Sequence, residues 1–167
     1  LADGDVQEFV GEYNPQHTLL DSENPITVGP LDLQDFYFEH KRQQVDAMEN
    51  AKEVIADVAK EYKDLTGRGV EFFEEYKLDD AEIGVLALGS TAGTAKEAVD
   101  QLREQGVKAG LLKLRVFRPF PTEELVEALK DLEVLAVMDR ADTFSTTGGP
   151  VFADVRSAFY DAKVDVE

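Results

Sequence analysis

The sequence contains no cysteine among its 167 residues. That excludes disulfides, thiol nucleophiles and cysteine-ligated iron–sulfur clusters held by this chain itself, and it agrees with a cytoplasmic setting. Cations are scarce: Lys and Arg total 17 against 35 Asp and Glu, a formal charge of −18. Nucleic acid and anionic membrane both call for a basic face, so neither is an expected partner. The acid excess serves solubility, with steering of a cationic partner or adaptation to salt as the sharper readings. No apolar run approaches the roughly 18 residues of a membrane span. The start, LADGDVQEFV, is acidic and lacks the basic region of a signal peptide. It opens on Leu and not Met, so the sequence is expected to be a piece of a longer polypeptide. The two histidines, His17 and His40, stand apart without metal-ligand spacing. No serine has the setting of a nucleophile elbow. Glu71, Glu74, Glu75, Asp79 and Asp80 read as solvated acidic surface rather than as an acid/base pair. No catalytic and no metal-ligating residue is assigned.

What is present alternates. Residues 1–34 read as an arm, because Pro15, Pro25 and Pro30 and several glycines break any lasting period. Its scattered apolar side chains (Phe9, Leu19, Ile26, Leu33) suit docking on another surface. Residues 35–65 carry an apolar stripe at helical spacing through Val45, Met48, Ile55, Ala59 and Tyr62, with Gly67 as the stop. Arg68–Tyr76 reads as a strand or extended connector. Beyond it, strands are expected at Ile83–Leu88, Ala109–Val116 and Val134–Met138, and helices at Ala95–Gln105, Glu123–Asp131 and Val151–Asp161. Val164–Val166 reads as a short edge strand. This pattern predicts an α/β domain over 35–167, a mostly parallel sheet sandwiched by helices with right-handed crossovers.

Four segments carry candidate chemistry. Gly89-Ser90-Thr91-Ala92-Gly93-Thr94 follows the first core strand and opens a helix. Its amides can hold an anion, yet it matches neither GxGxxG nor a P-loop. The structural reading is a tight turn with Thr94 as helix cap; a third reading is contact with a neighbouring domain or ligand at the carboxyl edge of the sheet. Arg115, Arg118 and Arg140 fall at or past the ends of two strands that read as neighbours, and can bind carboxylate or phosphate bidentately. Against that stands pairing with local acids such as Asp139, Asp142 or Glu123. Phe117-Arg118-Pro119-Phe120-Pro121 predicts an extended exit from the strand, with one phenylalanine in the core. Phe144–Pro150 (FSTTGGP) reads as a connector, with a ligand loop as the alternative and Pro150 in a first helical turn.

The combination Gly89-Ser90, Gly93-Thr94, Gly110-Leu111-Leu112-Lys113, Arg115-Val116-Phe117-Arg118-Pro119-Phe120-Pro121, Met138-Asp139-Arg140 and Gly148-Gly149-Pro150 resembles the alpha subunit of 2-oxoacid:ferredoxin oxidoreductases, of which pyruvate:ferredoxin oxidoreductase is the best-known member. Asp21–Pro25, Ala47-Met48 and Gly67-Arg68 extend the likeness upstream. The resemblance implies a domain like the carboxyl-terminal domain of transketolase. It implies a complex that oxidatively decarboxylates a 2-oxoacid such as pyruvate, or acts on a relative such as oxalate, and passes electrons to ferredoxin. Thiamine diphosphate, Mg, 4Fe–4S clusters and coenzyme A are implied for that complex, on its thiamine diphosphate-binding and ferredoxin-like subunits and not on this segment. Gly89, Ser90, Thr91, Gly93, Thr94, Arg118 and Arg140 are carried as candidates for domain contact or anion binding. The segment itself is expected to be a non-catalytic structural and interface domain. The alternatives are a free-standing anion- or nucleotide-binding α/β domain and a component of a transketolase- or 2-oxoacid-dehydrogenase-type thiamine enzyme.

Overall fold

The computed structural model describes residues 1–29, 31–144 and 147–167. The chain forms two compact units, Leu1–Ala47 and Met48–Glu167.

The first unit holds α1 (Asp3–Val10) and the opening turns of α2 (Tyr37–Thr66). An ordered helix at Asp3–Val10 departs from the aperiodic arm expected there. Asp5 accepts a hydrogen bond from the Ala2 amide at 3.1 Å, and acids in the first turn suit the helix dipole. None of the described residues in this unit is buried. Leu20, Tyr13 and Leu31 are 93%, 87% and 85% exposed. Pro30, expected to interrupt the arm, lies outside the described residues.

The second unit contains the rest of α2, which ends where expected: Gly67 takes φ +70° and its amide closes the last turn on the Lys63 carbonyl at 2.7 Å. The following elements are β1 (Phe73–Tyr76), β2 (Ile83–Leu88), α3 (Thr91–Glu104), β3 (Ala109–Leu114), α4 (Thr122–Leu129), β4 (Val134–Val137) and α5 (Pro150–Ala162). Among the described residues the sheet runs β1-β3-β2-β4, with β2 parallel to both β3 and β4 and β1 antiparallel to β3. The sandwiched, mostly parallel α/β sheet predicted by the alternation is present.

Period-two alternation sends side chains to both faces of the central strands. Leu86, Leu112 and Leu114 join Leu125 and Leu129 of α4 and Val151, Val155 and Phe159 of α5. Ala87, Ala109 and Leu111 meet Ala92 and Val99 of α3 on the other face. Leu86, Leu111, Leu112, Leu125 and Leu129 are fully buried; each contributes about 1.5–3 kcal/mol of transfer free energy. Gly110 stands inside β3 because a Cβ there would lie 2.7 Å from both the Lys77 carbonyl oxygen and Leu78 Cδ2.

Several expected boundaries move. α3 begins at Thr91, four residues earlier than predicted, because Gly89 turns the chain at φ +77° and Ser90 is already helical. Thr94 is therefore inside the helix and not its cap. α4 starts at Thr122, one residue earlier than predicted, with Pro121 at the cap position, and ends at Leu129. The Val164–Val166 strand does not form. Of the described residues in this segment only Glu167 bonds to the sheet edge, accepting from the Leu135 amide at 2.8 Å and donating to the Glu133 carbonyl at 3.1 Å.

Candidate functional site

The residues singled out in the sequence follow the carboxyl ends of β2, β3 and β4. From the end of β2 the chain turns into α3 on one face. From the end of the adjacent β4 it runs into α5 on the other. The strand ends of β2 and β4 therefore flank a topological switch point, where open α/β sheets bind their ligands. Gly89, Ser90, Thr91, Gly93 and Thr94 border it on the β2 side and are all exposed. A Cβ at Gly89 or Gly93 would meet nothing within 4 Å. Neither glycine is demanded by packing within this chain, although the φ of Gly89 favours glycine on conformational grounds.

The arginines divide. β3 and β4, which read as neighbours in the sequence, are separated by β2, because the crossover through α4 passes over that strand. Arg115 is bound inward, to the Glu74 carboxylate of β1 at 2.6 Å and the Gly69 carbonyl at 3.2 Å. Arg118 pairs with Asp154 of α5 at 2.8 Å, donates to its neighbour's carbonyl and lies 4.0 Å over the Phe117 ring. None of the acids expected to pair with these arginines does so: Glu123 bonds Lys52 of α2 at 2.6 Å, and Asp139 has another task. Arg140 is exposed and forms no ion pair among the described residues.

Asp139, two residues past β4, accepts hydrogen bonds from the amides of Val151 and Phe152 at 2.7 and 3.2 Å. It caps α5 from a distant part of the chain, satisfying two amides that helix geometry leaves open. Gly149 leaves room for this carboxylate. Sequence reading missed both Asp139 and Asp154 as the fixed points of the edge; the glycine pair before Pro150 was the available signal. Of the FSTTGGP segment, Ser145 and Thr146 lie outside the described residues. Pro150 occupies the first turn of α5, as expected.

The FRPFP segment also differs from expectation. Its Arg118–Pro119 peptide is cis. Both phenylalanines, not one, pack against the core, edge to face with centroids 6.3 Å apart.

Elsewhere, charge pairs tie the sheet to its helices. Lys96 of α3 bonds Glu74, whose carboxyl is held below its ordinary range chiefly by that bond. Lys77 and then Tyr76 lower the Asp100 carboxyl in the same way. Arg103 reaches the Ala109 and Lys77 carbonyls at 2.6 and 2.8 Å, and Asp80 at 2.6 Å. A cleft of about 190 Å³ lies between α2 and the segment leading to β1, lined by Ile55, Ala59, Lys63 and Phe72 among others; none of the candidate site residues lines it. No group of three or more metal-ligating side chains occurs among the described residues.

The family described as pyruvate:ferredoxin oxidoreductase core domain II matches residues 81–167. Pyruvate synthase subunit PorA of Thermotoga maritima is 51% identical over 156 residues, covering 93% of this chain and 40% of that protein. The PorA subunit of Methanocaldococcus jannaschii is 40% identical, over 95% of this chain and 41% of the relative. Ketoisovalerate oxidoreductase subunit VorA of Pyrococcus abyssi is 41% identical, over 93% and 40%. The chain thus spans about 40% of the length of these curated relatives. The solved alpha chain of a probable 2-oxoacid ferredoxin oxidoreductase from Thermoplasma acidophilum is similar at 23% identity over 57% of this chain and 75% of its own, but its TM-score of 0.30 carries no weight for the fold. With a family match across residues 81–167 and relatives aligned along more than nine-tenths of its length, this chain belongs to the pyruvate:ferredoxin oxidoreductase core domain II family.

Proposed function

We propose that this chain is a framework domain of the alpha subunit of a 2-oxoacid:ferredoxin oxidoreductase. In the assembled enzyme a 2-oxoacid such as pyruvate, or a related substrate such as oxalate, is oxidatively decarboxylated and electrons pass to ferredoxin. The domain holds neighbouring domains and subunits in place, with residues 1–34 acting as an arm and 35–167 as the α/β body. It works in the cytoplasm.

The observation that carries this reading is how the charged groups at the carboxyl edge are used. Asp139 caps α5, Arg118 is committed to Asp154 and Phe117, and Arg115 to Glu74. These bonds fix loops. Gly89, Ser90, Thr91, Gly93, Thr94 and Arg140 stay outward, beside the exposed Leu88 and Met138, which suits contact with a neighbouring domain.

The cofactors of such a complex do not fit this chain's own donors. Iron–sulfur clusters take thiolates, and the sequence has none. Among the described residues no group of three or more His, Asp or Glu side chains comes together to hold a metal ion. In this reading thiamine diphosphate, its metal, the clusters and coenzyme A belong to other domains or subunits, and no step is assigned here.

The test is turnover. The 167-residue chain alone is expected to give no 2-oxoacid-dependent viologen reduction, while the full subunit assembled with its partners gives it. Activity of this chain alone overturns the reading.

A further inference from the structure

The apolar arc of α2 is wider than the core requires. Ala59 is buried, and Ala51, Ile55, Tyr62 and Thr66 on the same side are half-buried. At 3.6 residues per turn, Val54, Val58 and Leu65 form a second row, rotated about a quarter turn from that side. They are 59%, 47% and 41% exposed. A row of acids, Glu53, Asp57, Glu61 and Asp64, with the single cation Lys60 at its far side, runs along the outer border of these three. The ion pairs of α2 use other carboxylates: Arg42 takes Asp46, Lys52 takes Glu123 and Glu124, and Lys63 takes Glu71. None of the four border acids enters an ion pair among the described residues. Carboxylates at four-residue spacing repel one another along a helix. An unpaired row beside exposed valines and leucine suits a partner that supplies both an apolar centre and positive charge.

We propose that the outer face of α2, centred on Val54, Val58 and Leu65, docks a surface of another subunit that has an apolar centre and a Lys/Arg rim. This rests on the framework reading and names one of its interfaces. A second copy of this chain is not the occupant: with a formal charge of −18 it would bring like charge to the acidic border.

The experiment is hydroxyl-radical footprinting of the full alpha subunit, alone and assembled with its other subunits. Val54, Val58 and Leu65 are expected to label at least fivefold less in the assembly. The double charge reversal Asp57→Lys with Glu61→Lys leaves the core untouched. It is expected to weaken association about tenfold at low salt, a difference that shrinks as salt is raised. Labelling unchanged by assembly overturns the proposal. So does protection already present in the isolated subunit, protection that tracks self-association, or a charge reversal without effect. If no other subunit associates at all, the framework reading itself fails; if the assembly forms with α2 still labelled, only this interface fails.

Discussion

Substituting Gly149 by alanine tests how the carboxyl edge is held together. Gly149 has ordinary extended backbone, φ −76° and ψ 173°, so alanine meets no conformational obstacle. The obstacle is space. A Cβ would lie 2.5 Å from the Ala141 carbonyl oxygen and closer still to the Asp139 carboxyl group. Either Asp139 leaves the Val151 and Phe152 amides, or the 139–141 backbone shifts. Losing the cap costs about 0.5–2 kcal/mol, and losing a negative charge from the helix N-terminus about 0.3–1 kcal/mol more. We expect about 2 kcal/mol for Gly149→Ala and a similar loss for Asp139→Ala. At roughly 2–4 °C per kcal/mol for a protein of this size, each lowers Tm by about 4–8 °C. Both variants remove the same contact, so the double variant is expected to cost about 2 kcal/mol less than the sum. Urea and thermal unfolding followed by circular dichroism measure all three. Additivity within about 0.5 kcal/mol, or an Asp139→Ala variant as stable as the parent, refutes the reasoning.

Leu125, fully buried at 0% exposure, is expected to cost about 2–5 kcal/mol when cut to alanine; a loss near zero by urea titration would contradict its place in the core. Gly110→Ala is expected to destabilise by about 1–3 kcal/mol, because the Lys77 carbonyl 2.7 Å away is backbone and cannot turn aside; the same titration reads it. The folded Glu74 carboxyl sits below 4.5, chiefly through its bond from Lys96. Its contribution is therefore complete above that pH and fades as pH falls through the lower folded value. Glu74→Gln removes this share, so stability measured between about pH 3 and 6 should fall less steeply in the variant; identical acid limbs would count against the pairing. Arg118→Ala loses a half-exposed pair with Asp154 and is expected to cost about 1 kcal/mol or less. Calorimetry with coenzyme A, ADP and phosphate is expected to show no micromolar binding by either protein. Binding by the parent that vanishes with Arg118→Ala would restore the anion-site alternative.

Elements whose signal is local were legible. The helical stripe of α2 and its Gly67 stop, the apolar runs of β2 and β3, and Pro150 at the start of α5 each depend on near neighbours in the chain. Boundaries failed where tertiary contact decided them. Ala92 is fully buried against the sheet, which draws the start of α3 back to Thr91 and takes Thr94 out of the cap position. The candidate arginines were visible, but their use was not. Asp154 and Asp139 lie dozens or a dozen residues from the groups they bind, and no local period marks such pairs.

The sequence by itself determined the alternation of strands and helices, the acidic surface, the absence of any thiolate ligand and the kinship with 2-oxoacid oxidoreductase alpha subunits. These follow from composition and short-range pattern, which the chain carries before it folds. Only the tertiary structure decided the order β1-β3-β2-β4, the antiparallel entry of β1, the commitment of Arg118 to Asp154 and the capping of α5 by Asp139. Each depends on which distant residues the folded sheet brings within hydrogen-bonding distance, and that distance exists only once the sheet has formed.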